Sequence, residues 1–397
     1  MKLSVATNWD SNLLKRLRDY PVHDVFGSLP TSIVGSGRPS FILPKVNRKQ
    51  VEDHINLAHS LGIKFTYLLN APCLGKLEYD KSFHLQLLKY IEWIVMIGAD
   101  YITVSIPFLL ELIKRQFPQL KIKVSVIANV NSVARLRFFE ELGADVVTID
   151  YMMNRNFELL KTMASTTSCE LELLANDLCL YQCPYRGYHY NLVGHASQSS
   201  DLLKGFFVDY CLTRCTYQFL SDPTEYLKAP WIRPEDITLY EKIGLEYFKL
   251  SDRCKSTDWL VNVIKAYSTR NYKGNLMDLL NNPQPSIEKE VQSKNLMGDI
   301  ARPDILKNLG FRNFFQAEHQ LPIKPVIQNR MLDGFVDFFQ KGCCAGECAS
   351  CKYCALWAKK VISLKKRSTK SYLRILREII KDLTTSKFAK GGNCSNF

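Results

Sequence analysis

Eight short apolar runs alternate with amphipathic stretches over the first 270 residues, and this alternation limits the fold more than any other feature of the chain. The runs are Leu3–Thr7, His23–Gly27, Lys64–Leu69, Tyr101–Ile106, Lys121–Ala128, Val146–Ile149, Glu170–Ala175 and Glu246–Leu250. Between them, spacing predicts helices over Asn12–Tyr20, Arg48–Leu61, Ser82–Ile97, Phe108–Gln116, Ser132–Leu142, Phe157–Met163 and Glu235–Ile243, with a last one over Asp258–Tyr267. Gly62, Gly98, Gly143 and Gly244 stand just before the next run, where a left-handed helix stop is needed. Strand–helix alternation calls for parallel pairing, and eight such units close a barrel. The expected fold is α/β: a (β/α)8 TIM-like barrel with an irregular C-terminal extension carrying a Cys cluster. An open doubly wound sheet is the competing architecture, but no Gly-x-Gly-x-x-Gly turn follows any run, so a dinucleotide site has no support.

The expected organisation is a barrel over 1–270 with a Cys-bearing insertion at 176–230. An irregular extension at 271–332, a Cys-rich metal-binding segment at 333–358 and a basic helical tail at 359–397 follow.

A barrel gathers its reactive groups just past the strand ends. Asn176-Asp-Leu-Cys179-Leu-Tyr-Gln-Cys183-Pro-Tyr-Arg186 follows the seventh run there. A second pair at the same spacing, Cys211 and Cys215, comes soon after. Thiols four apart on a helix share a face, so the two pairs together offer four thiolates. That donor set suits a [4Fe–4S] cluster or a structural zinc. Placement at a barrel mouth favours the cluster, because a structural zinc has no need to sit there.

Cys344, Cys348, Cys351 and Cys354 form a second constellation, with Cys343 an alternative first ligand. Its close spacing implies metal ligation, by zinc or by a second Fe–S cluster. Cys169 is read as core, Cys394 as part of the frayed end, and Cys73 and Cys254 as packing residues or spare ligands at the mouth.

Thirteen cysteines in a chain with no signal-peptide-like start point to a reducing, cytoplasmic setting, where clustered thiols bind metal or react. No apolar run reaches membrane-spanning length. The net charge of +13 favours an anionic partner, but much of the excess lies in the tail after Ala358. Arg186, His189, Arg233 and Arg253 are the candidate catalytic or substrate-binding groups. Arginines suit a carboxylate or phosphate, and a histidine can move a proton. Arg233, beside the helix start Pro234-Glu-Asp236, is expected to be free near the mouth. No Gly-x-Ser-x-Gly elbow exists.

Several stretches resemble peptidase family U32: Leu69-Asn-Ala-Pro-Cys73, Glu170-Leu-Glu-Leu-Leu-Ala-Asn176, Trp231-Ile-Arg-Pro-Glu-Asp236, Phe248-Lys-Leu-Ser-Asp-Arg253 and Tyr272-Lys-Gly-Asn-Leu276. Cys351-Lys-Tyr-Cys354 is similar to a subgroup with a C-terminal Cys motif. The resemblance implies a TIM-like barrel whose cysteines ligate a [4Fe–4S] cluster. It also implies one of two activities. Some members are collagenase-like peptidases, and others support oxygen-independent hydroxylation of RNA bases or ubiquinone precursors, with prephenate as oxygen source. Where the family shows an Arg-Glu pair after strand six, this chain has Asp150-Tyr-Met-Met-Asn-Arg155. Where it shows Gly-Ala-Leu-Cys and Ser-Gly-x-Cys after strand seven, this chain has Asn-Asp-Leu-Cys179 and Gln-Cys183-Pro-Tyr-Arg.

The functional expectation is therefore an iron–sulfur enzyme that hydroxylates or otherwise modifies an anionic metabolite, natural product or RNA base, with a prephenate-like cosubstrate. Two rivals stand beside it: a U32-type peptidase, and a non-enzymatic metal-stabilised barrel that binds RNA or a protein partner.

Overall fold

The computed structural model describes residues 1–203, 205, 207, 209–281 and 323–385. Expectations for 282–322, most of the irregular extension, and for 386–397, the end of the tail with Cys394, lie outside the described residues.

Eight parallel strands close into a barrel in chain order: β1 (Lys2–Ala6), β2 (Val22–Gly27), β3 (Lys64–Leu69), β4 (Tyr101–Val104), β5 (Lys121–Val124), β6 (Val146–Ile149), β7 (Glu170–Leu174) and β8 (Tyr247–Leu250). Pairing of β1 with both β2 and β8 completes the ring. Strand β5 is shorter than its apolar run. Ser125 Oγ accepts from the Ile127 amide and turns Val126–Ala128 into a 3-10 helix, and Asn129 leaves it at φ 55°.

Helices α1 (Ser11–Leu17), α2 (Arg48–Ser60), α3 (Lys81–Met96), α4 (Pro107–Gln116), α5 (Val133–Glu141) and α6 (Phe157–Thr166) follow the first six strands. Side-chain caps start most of them. Asn47 and Gln50 form a reciprocal capping box on α2, each accepting from the other's amide at 2.9 Å. Gly62 and Gly98 end α2 and α3 at φ 74° and 82°, a conformation that a β-carbon makes costly. After β7 the chain makes α7 (Arg186–His195), α8 (Tyr210–Ser221), α9 (Thr224–Lys228) and α10 (Ile237–Glu241) before β8, and α11 (Thr257–Thr269) completes the ring.

The barrel interior is polar, where TIM barrels are usually filled by branched aliphatics. Lys123 on β5 is fully buried and reaches Asp24 on β2 at 2.9 Å. Strands three apart around a ring can meet only through its interior. Glu172 on β7 lies 3.5 Å from both Lys123 and Lys249 and accepts from Thr148 at 2.7 Å. Ser4, Thr66 and Tyr247 donate to Asp24. The two carboxylates and two ammonium groups balance.

The C-terminal part closes on the same core. A two-stranded antiparallel ribbon, β9 (Val326–Ile327) with β10 (Ile362–Ser363), brackets α12 (Asp337–Gln340), α13 (Cys348–Cys351) and α14 (Tyr353–Val361). Phe335, Val336, Phe339, Ala358 and Val361 join the barrel's apolar cluster. The basic tail forms α15 (Lys366–Leu383), which packs on α8 through Tyr372, Leu376 and Leu220. No helix among the described residues is long and apolar enough to cross a membrane.

Candidate active site at the barrel mouth

The end of β7 is held from both sides. Asn176 accepts from the Ser251 amide at 2.8 Å and donates to the Leu279 carbonyl at 3.1 Å. Asn154 donates to the Leu174 and Pro230 carbonyls at 2.9 Å each. Four buried carbonyls and amides are thereby satisfied where the strand stops, and the next residues project over the mouth.

Cys179 and Cys183 lie on that projecting loop, while Cys211 and Cys215 lie buried on α8. Asp209 starts α8, its carboxylate accepting from the Leu212 amide, so both thiols of the i, i+4 pair face inward. Cys183 is within electrostatic reach of the other three thiols, and Cys179 of Cys215. Burial pushes Cys179 up to about 12, and Cys183 adds to the push. Cys211 is also raised to about 12, by burial, then Asp209 and Cys183. Cys215 is raised well above the ordinary range, by burial, then Cys179 and Cys183. By donor type and number this set fits four-thiolate ligation of a [4Fe–4S] cluster. Among the described residues, no three His, Cys, Asp or Glu groups gather closely enough to hold a single metal ion.

Arg186 begins α7. It bonds Asp150 at 2.8 Å, donates to Asn129 Oδ1, and lies 4.8 Å over the Tyr151 ring. Its Nε is buried with no partner. Arg253 donates to Ser28 at 2.8 Å and Ser36 at 3.0 Å, and burial lowers it to about 10. His189 is held by Asp209 at 2.8 Å and His195 by Gln198 at 2.9 Å.

Arg233 is not free at the mouth, contrary to expectation. It is buried, and four of its hydrogen bonds go to Asp236 (2.9 and 2.8 Å), Asp333 (3.0 Å) and the Asn329 carbonyl (2.9 Å). Proline at 234 tightens the turn and brings Asp236 back under the guanidinium, so Arg233 braces α10 against the C-terminal segment.

Sequence reasoning missed Arg38. The long loop after β2 carries it over the mouth, 3.7 Å from Asp252. Asp252 keeps it charged despite burial, with help from Asp177. Asp177 is itself raised by burial, against the pull of Arg38 and, more weakly, Arg186, and it accepts from Asn281 at 2.7 Å. The only signal in the chain was the place of Gly35-Ser-Gly-Arg38 in a βα loop on the reactive face.

A closed eight-stranded parallel barrel with thiols and arginines collected past its strand ends defines a TIM-barrel protein with its candidate site on the reactive face. A family model for peptidase family U32 matches residues 43–296, and the chain belongs to that family. It is 28% identical over 347 residues to an uncharacterized protease of Methanocaldococcus jannaschii, across 86% of this chain and 89% of the relative. It is also 28% identical over 164 residues to the tRNA hydroxylation protein P of Escherichia coli. That match covers 39% of this chain and about a third (34%) of the Escherichia coli protein. A solved U32 peptidase structure matches 63% of this chain and 92% of its own at 21% identity and a TM-score of 0.48.

Proposed function

We propose that the chain is an iron–sulfur-dependent modifying enzyme that hydroxylates an anionic substrate without molecular oxygen, an RNA base ahead of a metabolite or natural product. The observation that carries this reading is the placing of Cys179 and Cys183 on the loop past β7 and of Cys211 and Cys215 on α8, beside Arg186 on the same face. The partial likeness to a tRNA hydroxylation protein supports the reaction class and the RNA substrate.

A [4Fe–4S] cluster held by the four thiolates would supply a redox centre at the mouth, with every iron closed by a thiolate. The chain's own residues would do the rest. The unpartnered Nε of Arg186 offers a donor to a phosphate or carboxylate. Arg253, held by two serines instead of a carboxylate, keeps its charge available to the same ligand. A prephenate-like dicarboxylate, as oxygen source, would find its counter-charges in these groups and Arg38. Tyr151 and Tyr190, 3.3 Å apart and pushed up by burial, stay protonated and orient ligands as hydrogen-bond donors.

The peptidase reading rests on the names of the family and of the archaeal relative. At the mouth, His189 and His195 are engaged by Asp209 and Gln198, not by a thiol or hydroxyl that they could activate. The binding-module reading rests on the basic face of α15.

Anaerobic purification with iron, sulfide and zinc assays tests the reading. Iron and sulfide should be present, and Cys179→Ser with Cys211→Ser should remove the mouth cluster. Mass spectrometry of tRNA from cells with and without that variant should show loss of an added oxygen on one base. Zinc without iron, or unchanged tRNA, would sink the proposal.

A further inference from the structure

The C-terminal cysteines lie far along the chain from the mouth, yet they fold against α9, the helix that continues from α8. Helix α14 packs on α9, and Cys344, Cys348, Cys351 and Cys354 line one cavity of about 320 Å³ floored by Phe338 and Phe339. Cys343 does not line it. Its sulfur lies 3.7 Å from the Lys341 carbonyl, and Cys344, which does line the cavity, is taken as the first ligand. Gly342 and Gly346 at φ 66° and 81°, and Lys352 at φ 53°, bend the chain three times so that all four thiols reach the same space. Lys352 separates Cys351 from Cys354 and is the only non-glycine of the three, so a left-handed strain of about 1 kcal/mol is borne where the last ligand must turn inward.

A second observation points to a negative centre in that cavity. Arg155, half-buried, packs its guanidinium 4.7 Å from the Trp231 ring, 5.1 Å from Phe335 and 5.0 Å from Phe339. It donates to the Leu227 and Ala229 carbonyls, and none of the ion pairs among the described residues involves it. A guanidinium placed among three rings without a carboxylate is costly. The Phe339 ring beneath Arg155 also lines the Cys cavity, which places the guanidinium directly behind the thiols. Lys228 lines the cavity itself, paired with Glu225 at 2.8 Å. The cavity is thus walled by four thiols and backed by two cations.

Size separates the two metal chemistries. A single zinc needs its donors converging at about 2.3 Å from one point. The four cysteines line a cavity of about 320 Å³, more room than one zinc with its four sulfurs needs and enough for a cuboidal cluster. We propose that Cys344, Cys348, Cys351 and Cys354 bind a second [4Fe–4S] cluster, distinct from the one assigned to the barrel mouth. With Cys354 as fourth thiolate every iron is closed, so the centre has no open position for a substrate. Cys344 and Cys351 are exposed, and one edge of the cluster would face solvent.

The test uses the full chain, reconstituted anaerobically with ferrous iron and sulfide in the presence of zinc. Wild type should hold about eight irons and eight sulfides, from two four-iron clusters. Cys348→Ser with Cys351→Ser should hold about four, and Cys179→Ser with Cys211→Ser the other four, so each site can fail without the other. Unchanged iron in the Cys348→Ser/Cys351→Ser protein, or stoichiometric zinc at that site without sulfide, overturns the proposal. Should that double variant not fold, Cys354→Ser decides. Three remaining thiolates should give the electron paramagnetic signature of an oxidised three-iron cluster, and a wild-type spectrum overturns the assignment.

Discussion

Arg186 on the loop side of the mouth and Asp150 at the end of β6 are bonded at 2.8 Å, with the carboxylate almost fully buried. This pair ties the segment bearing Cys179 and Cys183 to the barrel wall. Asp150→Asn should therefore loosen the loop as well as weaken the charge. Removing one partner of such a buried pair should cost about 3–5 kcal/mol. Hydrogen exchange over 179–190 should rise, with exchange in β1–β5 unchanged.

The charged barrel interior makes a sharper stability prediction. Lys123→Met would leave Asp24 and Glu172 short of their shared cation and should cost about 3–5 kcal/mol. Adding Asp24→Asn should recover part of that loss, because the orphaned charge goes with it. Urea denaturation of the single and double variants measures both.

The same network sets an acid limit. Burial pushes Asp24 up, but Lys123 and the Thr66 and Tyr247 hydroxyls outweigh it and hold it below the usual carboxylate range. At Glu172, Lys249 and Lys123 outweigh burial in the same way. Groups with depressed folded values stabilise fully above their unfolded pKa of about 4 and lose that contribution as pH falls through the folded value. The urea midpoint should hold between about pH 7 and pH 5 and decline below about pH 4. In Asp24→Asn the acid decline should be shallower.

Arg38 should matter for ligand affinity rather than for metal retention. Charge-assisted hydrogen bonds contribute about 1.5–3 kcal/mol. Arg38→Ala should then weaken binding of a dicarboxylate such as prephenate by roughly 10- to 100-fold, with iron content unchanged. Equal affinity, read by calorimetry, would remove Arg38 from the site.

Helix α15 separates docking from charge. Its inner face (Tyr372, Ile375, Leu376, Ile379) is buried, and Lys366, Lys370, Arg374 and Lys381 are exposed on its outer face. Ile379→Asp should undock it from α8 and cost about 2–4 kcal/mol. Lys370→Glu with Arg374→Glu and Lys381→Glu should leave the fold intact. If RNA binds there, the salt dependence of its affinity should fall by a slope of about 2–3 for three lost phosphate contacts.

The sequence alone determined the barrel. Period-2 and period-3.6 patterning, with glycine stops at Gly62, Gly98, Gly143 and Gly244, are local properties, so they survive reading one segment at a time. It also marked Cys211 and Cys215, whose helical spacing α8 realises, whereas Cys179 and Cys183 lie on a loop whose path their spacing does not contain. It misjudged Arg233, whose partners Asp333 and Asn329 lie about a hundred residues on, and it gave no weight to Arg38, whose partner Asp252 is more than two hundred residues away. It also read the runs containing Asp24, Lys123, Glu172 and Lys249 simply as strands, since a buried charge looks like an exposed one until its counter-charge is located. Closing the ring decided those pairings: strands distant in sequence share one interior and one mouth, and which charges meet there depends on register and tilt that no single segment contains.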